Sequence, residues 1–333
     1  MPNKGVSTII ATLLMLIVVI SVTGLVYSYA SNIFTSRTSS VLTIFNTFNN
    51  TVFVKNEGTA PITSFLSITV DNKPVSSYIV YPLEPSGLVG YWTFDEGTGT
   101  TALDISGNKN TGILVASPNW VNGRFGSAIN FPSTSTYVNL GTNNLPNGTG
   151  LSLTVLAWVN IAQLTNWHDI VTHNWSPTPG VWDLYINLDG RAIFSMNSSQ
   201  VQKTAITAAN ELSTNKWYQI VGTYDGTNIK IYVNGSLRST FSAPNLFLNS
   251  SGPLRICNTC DDGGIGTVTV DEVKIYNRAL SADEIKASFN LGAPINAGAS
   301  VQLKVFDSLS PGVHKLKICT VSYCTSGFLA IQS

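Results

Sequence analysis

Hydrophobic and polar residues follow two different patterns along this chain. Residues 6–30 are almost uninterruptedly apolar, and no charged residue lies between Gly5 and Ser36. A helix of about 25 residues is about 37 Å long, which is enough to cross the roughly 30 Å core of a bilayer. Later in the chain, short runs of alternating apolar and polar residues are separated by Gly, Pro, Asn and Asp. The pattern predicts one long hydrophobic helix followed by a mainly β chain.

The strands nearest the two ends of the chain are predicted to share one small domain. Residues 40–86 and 293–333 each contain only a few strand-like runs. Segments of this size rarely bury a sufficient core on their own. We therefore expect them to form one β-sandwich head that is interrupted by residues 87–292.

The middle segment has the turn spacing of a second, larger β-sandwich. The Asp-Gly at 225–226 and the Asn-Gly at 234–235 are two-residue hairpin turns on either side of an alternating strand. Strands at such spacing are typical of a sandwich or jelly roll. Ser281 and Glu284 form a capping-box pattern, which predicts one short helix near the end of the segment.

Charge is scarce and balanced, which limits the classes of partner. The 333 residues include 18 basic and 18 acidic ones, so the formal net charge is zero. A nucleic-acid-binding surface needs concentrated positive charge, so we predict no nucleic-acid partner. The hydrophobic fraction of 44% is sufficient for folded cores and excludes a disordered chain.

Three interpretations of the N-terminal apolar run remain open. Lys4 and Arg37 flank the run, and we expect the short end in the cytoplasm and the remainder outside. A cleaved secretory signal usually has a shorter apolar region, although the Ser-Tyr-Ala at 28–30 offers a cleavage site. A plain membrane anchor is the second interpretation. The third is a prepilin, with residues 1–5 as a leader and residues 6–39 as a retained membrane and filament helix.

Several short motifs point to the third interpretation. The apolar run opens with KGVSTII at 4–10, and the head segments contain KNEGTAPI at 55–62, VDNKPV at 70–75 and LSPGVHKL at 309–316. In this order the motifs resemble the start and the head domain of archaeal type IV pilins. Bacterial pilins commonly have Glu at the position of Ile10, so the resemblance is to the archaeal group.

The pilin resemblance implies a set of partners and a location. A prepilin peptidase would cut between Gly5 and Val6, and the retained helix would pack against other pilin subunits. The precursor would lie in the cell membrane, and the mature protein would lie at the cell surface in an extracellular filament.

The middle of the chain carries a more extensive resemblance. It contains YWTFDEG at 91–97, WYQIVGTYDG at 217–226 and VDEVKIYNRALSADEI at 270–285. This succession is similar to the laminin-G-like, concanavalin A-type domains over about 200 residues. The resemblance implies a jelly-roll β-sandwich for residues 87–292.

Catalysis is not predicted for this segment. Some glycoside hydrolases share the implied fold, but they need two suitably placed carboxylates. The sequence has no Glu-x-Asp-x-x-Glu arrangement, and Asp271 and Glu272 would point to opposite faces of a strand. His168 and His173 lie near Asp169 in sequence, which is insufficient to identify a catalytic triad. We therefore expect no enzymatic activity.

Binding of surface glycans or glycoproteins is the function we favour for the inserted domain. Residues 166–182 depart most from the family pattern and are rich in aromatic and polar side chains. Aromatic faces can stack on sugar rings while amides and carboxylates bond to hydroxyls. The alternative is that the aromatics pack in the core, as Trp182 and Leu184 would by alternation. The candidate ligand-binding residues are Asn166, Trp167, His168, Asp169, Asn174 and Trp175.

Calcium is the one candidate cofactor. Domains of this type often hold one Ca²⁺ ion, which requires oxygen ligands. Asp95, Asp104 and Asp271 match family carboxylates, and Asn108 is a candidate carbonyl donor. Solvated turn carboxylates are the alternative, and the spacing does not decide between the two.

The four cysteines form two local pairs, Cys257 with Cys260 and Cys319 with Cys324. Outside the membrane, disulfides within each pair are the default expectation. The alternative for the first pair is a zinc site formed together with another cysteine pair, although no histidine is suitably placed.

Together these features predict a type IV pilin-like surface filament subunit that carries an adhesive, carbohydrate- or glycoprotein-binding domain. The alternative is a membrane-anchored or secreted lectin-like protein that does not polymerise. The predicted fold class is mainly β, with an N-terminal hydrophobic α-helix and a small pilin-type β-sandwich head that a laminin-G-like jelly-roll β-sandwich interrupts.

Overall fold

The structure is a computed structural model. It describes residues 42–48, 51–57, 62, 67–75, 78–82, 84–133, 135–141, 148–149, 151–173, 181–198, 201–248, 252–257, 267–290, 300–305, 309–319 and 324–331. The predicted leader at 1–5 and the predicted helix at 6–39 lie outside these ranges. Within them, no helix is long and apolar enough to cross a membrane.

The described elements are almost all strands. The first strands are β1 (Leu42–Phe48), β2 (Thr51–Asn56), β3 (Ser67–Val70), β4 (Lys73–Pro74) and β5 (Tyr78–Pro82). They are followed by β6 (Leu88–Trp92), β7 (Thr101–Ala102), β8 (Gly112–Val115), β9 (Asn119–Asn122), β10 (Ser127–Phe131), β11 (Tyr137–Asn139), β12 (Gly148–Thr149), β13 (Leu153–Ile161), β14 (His168–His173), β15 (Trp182–Ile186), β16 (Ala192–Ser198) and β17 (Val201–Ile206). The remaining elements are β18 (Trp217–Tyr224), β19 (Asn228–Val233), β20 (Ser236–Ser242), β21 (Phe247–Leu248), β22 (Leu254–Ile256), β23 (Val268–Tyr276), the helix α1 (Ala282–Phe289), β24 (Ser300–Val305), β25 (Gly312–Cys319) and β26 (Cys324–Ile331). The mainly β fold class is therefore confirmed.

The chain divides into two compact units. One contains Met1–Tyr81 and Gly292–Ser333, and the other is Pro82–Leu291. The larger unit begins earlier than the predicted residue 87. Glu84 explains the difference, because its carboxylate lies 2.6 Å from the Lys274 ammonium and 2.5 Å from the Tyr276 hydroxyl, both on β23.

The smaller unit is built from both ends of the chain. β2 pairs antiparallel with β24, so that Val54 lies opposite Val301. This pairing places β24 in a four-stranded sheet of order β1-β2-β24-β5, and a second sheet has the order β26-β25-β3-β4. On β3, the alternate residues Ile68 and Val70 are buried, as expected where one face of a strand covers a core. The core contains Val52, Val54, Ile68, Val70, Leu303, Val305, Leu316, Ile318 and Leu329.

The larger unit consists mainly of two eight-stranded sheets. The first sheet has the order β20-β19-β18-β13-β23-β10-β9, with β6 also paired to β23. The second sheet has the order β17-β16-β15-β14-β22-β11-β8-β7. The predicted hairpins at 225–226 and 234–235 are confirmed, since β18, β19 and β20 pair consecutively.

The two sheets of the larger unit pack closely where Gly222 meets Phe194. Gly222 lies on β18 in the first sheet and Phe194 lies on β16 in the second. A Cβ atom at position 222 would lie 2.3 Å from the Phe194 ring. The absence of a side chain at Gly222 therefore sets the spacing of the sheets at this point.

The short helix α1 begins at the predicted capping box. The Ser281 hydroxyl accepts from the Glu284 amide, and the Glu284 carboxylate accepts from the Ser281 amide. Arg278 donates two hydrogen bonds to Glu284 and lowers the pKa of that carboxyl to about 2. Phe289 at the end of the helix stacks on Trp158 of β13, with ring centroids 5.7 Å apart.

Candidate functional site

The second sheet of the larger unit has an apolar inner face and a polar outer face. On β15, Trp182, Leu184 and Ile186 belong to the core between the sheets. Because successive side chains on a strand point to opposite faces, Asp183 and Tyr185 lie on the outer face. The sequence-based expectation that Trp182 and Leu184 alternate into the core is confirmed.

Six polar residues lie side by side across this outer face, one on each of six adjacent strands. Consecutive members are directly opposite in the ladder register, from β11 to β17. We call this set the polar row, and its members in order are Asn139, Arg255, Thr172, Asp183, Ser195 and Thr204. The central residues Thr172, Asp183 and Ser195 are buried, and the others are half-buried.

A carboxyl pair lies at the centre of the polar row. The Asp183 side chain hydrogen-bonds to the Asp169 side chain on β14, and a register shift between Asp169 and Val171 accompanies this contact. Burial raises the pKa of Asp183 well above its ordinary value, and the charge of Asp169 adds to the effect. Two carboxylates this close cannot both stay ionised unless a cation compensates their charge; without one, the pair holds a proton.

Tyr185 connects the carboxyl pair to an exposed aromatic ring. Burial, together with Asp183 and Asp169, raises the pKa of Tyr185 to about 12, so the hydroxyl is neutral at pH 7. The hydroxyl is hydrogen-bonded to Ser195 and Gln202. Trp167 packs on the Tyr185 ring with centroids 5.4 Å apart and remains 43% exposed.

Several buried polar atoms on the outer face have no hydrogen-bond partner. They include Thr172 Oγ1, Asp183 Oδ1 and Arg255 Nε in the polar row. The Arg255 guanidinium lies 4.8 Å above the ring of Tyr137 on β11, on the side of Thr172 away from Asp183. A buried polar atom without a partner costs about 1–3 kcal/mol, so these atoms mark a place where a ligand can add bonds.

The structure brings together only part of the predicted ligand set. Trp167 and Asp169 both lie beside Tyr185, as described above. His168 is buried, its Nε2 lies 2.8 Å from the Gln163 carbonyl oxygen, and burial lowers its pKa. It therefore faces the interior and is not presented to a ligand. Asn166 is half-buried beside Trp167, and Asn174 and Trp175 lie outside the described residues.

The four predicted calcium ligands do not form one site. Asp104 accepts hydrogen bonds from the backbone amides of Tyr91, Ser106 and Asn110 at 2.8–3.0 Å. The Asn108 amide nitrogen donates to the carbonyl oxygens of residues 88 and 89. Both side chains stabilise the local fold through these hydrogen bonds, which explain why Asp and Asn occupy positions 104 and 108.

The other two predicted ligands lie near each other. Asp271 is fully buried, and burial, Glu272 and Asp95 raise its pKa. Its Oδ2 accepts from the Phe125 amide at 3.0 Å, while Oδ1 has no partner. Asp95 accepts from the Ser127 amide at 3.0 Å. In the described part of the chain, no group of three or more His, Cys, Asp or Glu is arranged to hold a metal ion.

The cysteines differ from each other in their state. Cys257 is a buried free thiol in the structure, and its pairing with Cys260 stays a prediction. The thiol packs in the core of the larger unit, and Cys260 lies outside the described residues. Cys319 is disulfide-bonded, and the register places Cys324 directly opposite it.

Thr172, Asp183, Tyr185 and Arg255 were missed as site residues. For Asp183 and Tyr185 a signal was present, because they alternate with Trp182 and Leu184, which were expected to be buried. For Thr172 and Arg255 no local signal existed, since their position depends on which strands flank β14.

Comparison with known proteins supports the architecture of the larger unit. Residues 132–286 match the Laminin_G_3 family, described as the Concanavalin A-like lectin/glucanases superfamily. This part of the larger unit is therefore similar to laminin-G-like, concanavalin A-type domains. No curated protein matches the sequence.

Solved structures with a similar fold include two binding domains and one domain of an extracellular arabinanase. The binding domain of Paraclostridial Mosquitocidal Protein 1 has a TM-score of 0.52 and 20% identity, over 61% of this chain and 52% of that one. The binding domain of botulinum neurotoxin serotype G has a TM-score of 0.49 and 15% identity, over 61% and 50%. Domain 4 of AbnA, an extracellular arabinanase from Geobacillus stearothermophilus in complex with arabinotriose, has a TM-score of 0.48 and 18% identity, over 62% and 100%. This chain spans about half the length of the first two structures.

Proposed function

We propose that the larger unit binds a carbohydrate on the outer face of its second sheet. The observation that carries this proposal is the exposed Trp167 ring, which is held against Tyr185 next to the polar row. An aromatic ring with a fixed orientation offers a flat apolar face to a pyranose ring. Because Tyr185 fixes Trp167 before binding, little side-chain entropy is lost when a sugar stacks on it.

Polar groups beside Trp167 supply the directional contacts that sugar hydroxyls need. Gln202 is exposed on the edge strand β17 and hydrogen-bonds to Tyr185, and its amide can both donate and accept. A few oriented polar groups beside an apolar face are the usual composition of a small-ligand site. We infer that the ligand is a neutral sugar whose hydroxyls lie toward Gln202.

Binding rather than hydrolysis is favoured by the geometry of the carboxyl pair. Glycoside hydrolases keep their two carboxyl groups about 5–9.5 Å apart, with the scissile bond or a water between them. Asp169 and Asp183 are in direct hydrogen-bond contact, which leaves no space for either. We therefore propose a non-enzymatic, lectin-like role.

A glycan array probed with the full chain tests this function. Replacement of Trp167 by Ala should weaken binding to the retained glycan by about ten-fold or more, which corresponds to about 1.4 kcal/mol. The matched control is Phe247→Ala, because Phe247 is similarly exposed at 42% and lies on β21, outside the two large sheets. Retention of no glycan, or equal losses in both variants, would contradict the proposal.

We further propose that the chain is a pilin-like filament subunit at the cell surface, with a membrane-anchored or secreted lectin that does not polymerise as the alternative. The KGVSTII start supports the filament role, as does a β head made from two separated segments. N-terminal sequencing of the mature protein distinguishes the alternatives. Val6 as the first residue supports the pilin, Ser31 supports a secreted form, and Met1 or Pro2 supports a plain anchor.

A further inference from the structure

The Thr172 hydroxyl lies next to the carboxyl pair of Asp169 and Asp183, and a proton shared by the two carboxyls would leave this hydroxyl without a hydrogen-bond partner. Thr172 lies directly opposite Asp183 in the register of β14 and β15. The neighbours Val171 and Leu184 point into the core, so the Thr172 hydroxyl and the Asp183 carboxyl project together from the outer face. Cβ atoms of directly opposed residues are about 4.5–5.5 Å apart, which brings the two side chains within reach of a single ligand.

Both side chains retain an unpartnered oxygen although they are almost completely buried. Thr172 is 2% exposed and Asp183 is 4% exposed, yet Thr172 Oγ1 and Asp183 Oδ1 have no hydrogen-bond partner. A proton between Asp169 and Asp183 would bond only one oxygen of each carboxyl. It would leave the other Asp183 oxygen and the Thr172 hydroxyl as they are.

We propose that Asp169, Asp183 and Thr172 bind one hard divalent cation of the Ca²⁺ class. Such an ion takes several oxygen ligands at once, and carboxylate and hydroxyl oxygens are the types available here. Its two positive charges would compensate the paired carboxylates, which removes the cost of placing them in contact. This site lies on the second sheet and shares no residue with Asp95, Asp104, Asn108 and Asp271.

The arginine of the polar row points toward Tyr137 and not toward the carboxyl pair. Arg255 follows Thr172 in the polar row, but its guanidinium lies over the Tyr137 ring, one strand further from Asp183. The Tyr185 hydroxyl is neutral at pH 7, as described above, so it adds no charge to the site.

Calorimetric titration of the metal-free full chain with Ca²⁺, without sugar, tests this proposal. Asp183→Asn removes one carboxylate charge at constant volume and should weaken Ca²⁺ binding at least ten-fold. Thr172→Val removes the hydroxyl at nearly constant volume and should weaken it about three-fold. The control Asp271→Asn changes another buried carboxyl with an unpartnered oxygen, on the first sheet, and should leave this binding unchanged.

Thermal unfolding gives a second measurement that also verifies folding of the variants. Ca²⁺ should raise the Tm of the unmodified chain, because a ligand of the folded state stabilises it. It should not raise the Tm of Asp183→Asn. If Ca²⁺ gives neither heat nor a Tm shift with the unmodified chain, or if Asp271→Asn rather than Asp183→Asn abolishes binding, the proposal is overturned.

The cation-site proposal and the carbohydrate-site proposal can be contradicted separately. Trp167→Ala should lose the glycan and retain Ca²⁺ binding, since Trp167 contributes no oxygen ligand. A chain that binds glycan but not Ca²⁺ overturns the cation site alone. A chain that binds Ca²⁺ through Asp183 but no glycan supports the cation site and contradicts the carbohydrate site.

Discussion

The His173 imidazole stacks on the Trp182 indole in the core of the larger unit, with ring centroids 5.7 Å apart and an interplanar angle of 21°. The two residues are directly opposite on β14 and β15. His173 is fully buried, and neither of its ring nitrogens has a hydrogen-bond partner. Burial therefore lowers the pKa of His173 to about 4, and the ring is neutral at pH 7.

Acid should destabilise the larger unit through His173. The unfolded chain binds a proton at this residue below about pH 6.5, whereas the folded chain binds it only near pH 4. Stability is therefore lost as the pH falls through this interval, by about 3 kcal/mol in total. Urea unfolding at pH 7, 6, 5 and 4 should show this loss.

The variant His173→Phe is the control for the acid prediction. It preserves the stacking on Trp182 and cannot be protonated, so the loss should be smaller by the His173 contribution. His168, whose pKa burial also lowers, is present in both proteins and does not affect the difference. The same pH dependence in both proteins would contradict the assignment.

Asp183 should have the opposite pH dependence in metal-free protein. Its raised pKa means that the folded chain retains a proton that the unfolded chain loses above about pH 4. Stability therefore falls as the pH rises above that value. In buffer with a chelator, Asp183→Asn should be more stable than the unmodified chain at pH 7 by about 1–2 kcal/mol.

The comparison variant for Asp183 is Asp104→Ala. Asp104 accepts three backbone hydrogen bonds, so its removal should destabilise the chain by about 1–3 kcal/mol at pH 7. Chemical denaturation of both variants measures the contrast. If Asp183→Asn destabilises the metal-free chain as Asp104→Ala does, the carboxyl pair is not a source of instability.

Gly222→Ala should disturb the packing between the two large sheets. The added methyl group would meet the Phe194 ring at 2.3 Å, and overpacking of this kind costs about 1–3 kcal/mol. Phe194→Leu should relieve part of that cost, so a double-mutant cycle should show favourable coupling between the two changes. Strictly additive effects in thermal or urea unfolding would show that the contact does not limit the spacing.

Glu84→Gln should destabilise the larger unit by about 3 kcal/mol. The change removes the carboxylate that pairs with Lys274 at 2.6 Å, at a site where the two side chains are only 7% and 14% exposed. The control is Glu57→Gln in the pair with Lys55, whose side chains are 45% and 39% exposed, and which should cost less than about 1 kcal/mol. Equal costs in urea unfolding would contradict a role for burial.

Much of the fold could be predicted from local patterns. The alternation around Trp182 identified the inner face of β15, and the two-residue turns identified the hairpins on either side of β19. These predictions hold because period-2 burial and turn chemistry depend on neighbouring residues only. The start of the larger unit at Pro82 could not be predicted from local patterns, because it depends on contacts between Glu84 and a strand that is distant in sequence.

The candidate site was only partly predictable for a related reason. Trp167 and Asp169 were identified because residues 166–182 are rich in aromatic and polar side chains. The polar row could not be identified in this way, because it depends on the strand order β11-β22-β14-β15-β16-β17. Asp104 was predicted as a calcium ligand from sequence, whereas in the structure it accepts hydrogen bonds from backbone amides. A carboxylate that accepts turn amides and one that binds a cation have the same sequence appearance, and only the hydrogen-bond partners distinguish them.

The pairing of β2 with β24 also determines an order of events during synthesis. When a ribosome has made residues 51–56, the strand that must lie beside them does not yet exist, whereas every strand of the larger unit is translated before β24. The nascent chain can therefore complete the larger unit first, while the incomplete head still has an unpaired strand edge. Chaperones that protect such an edge during this interval would act on the head rather than on the inserted domain.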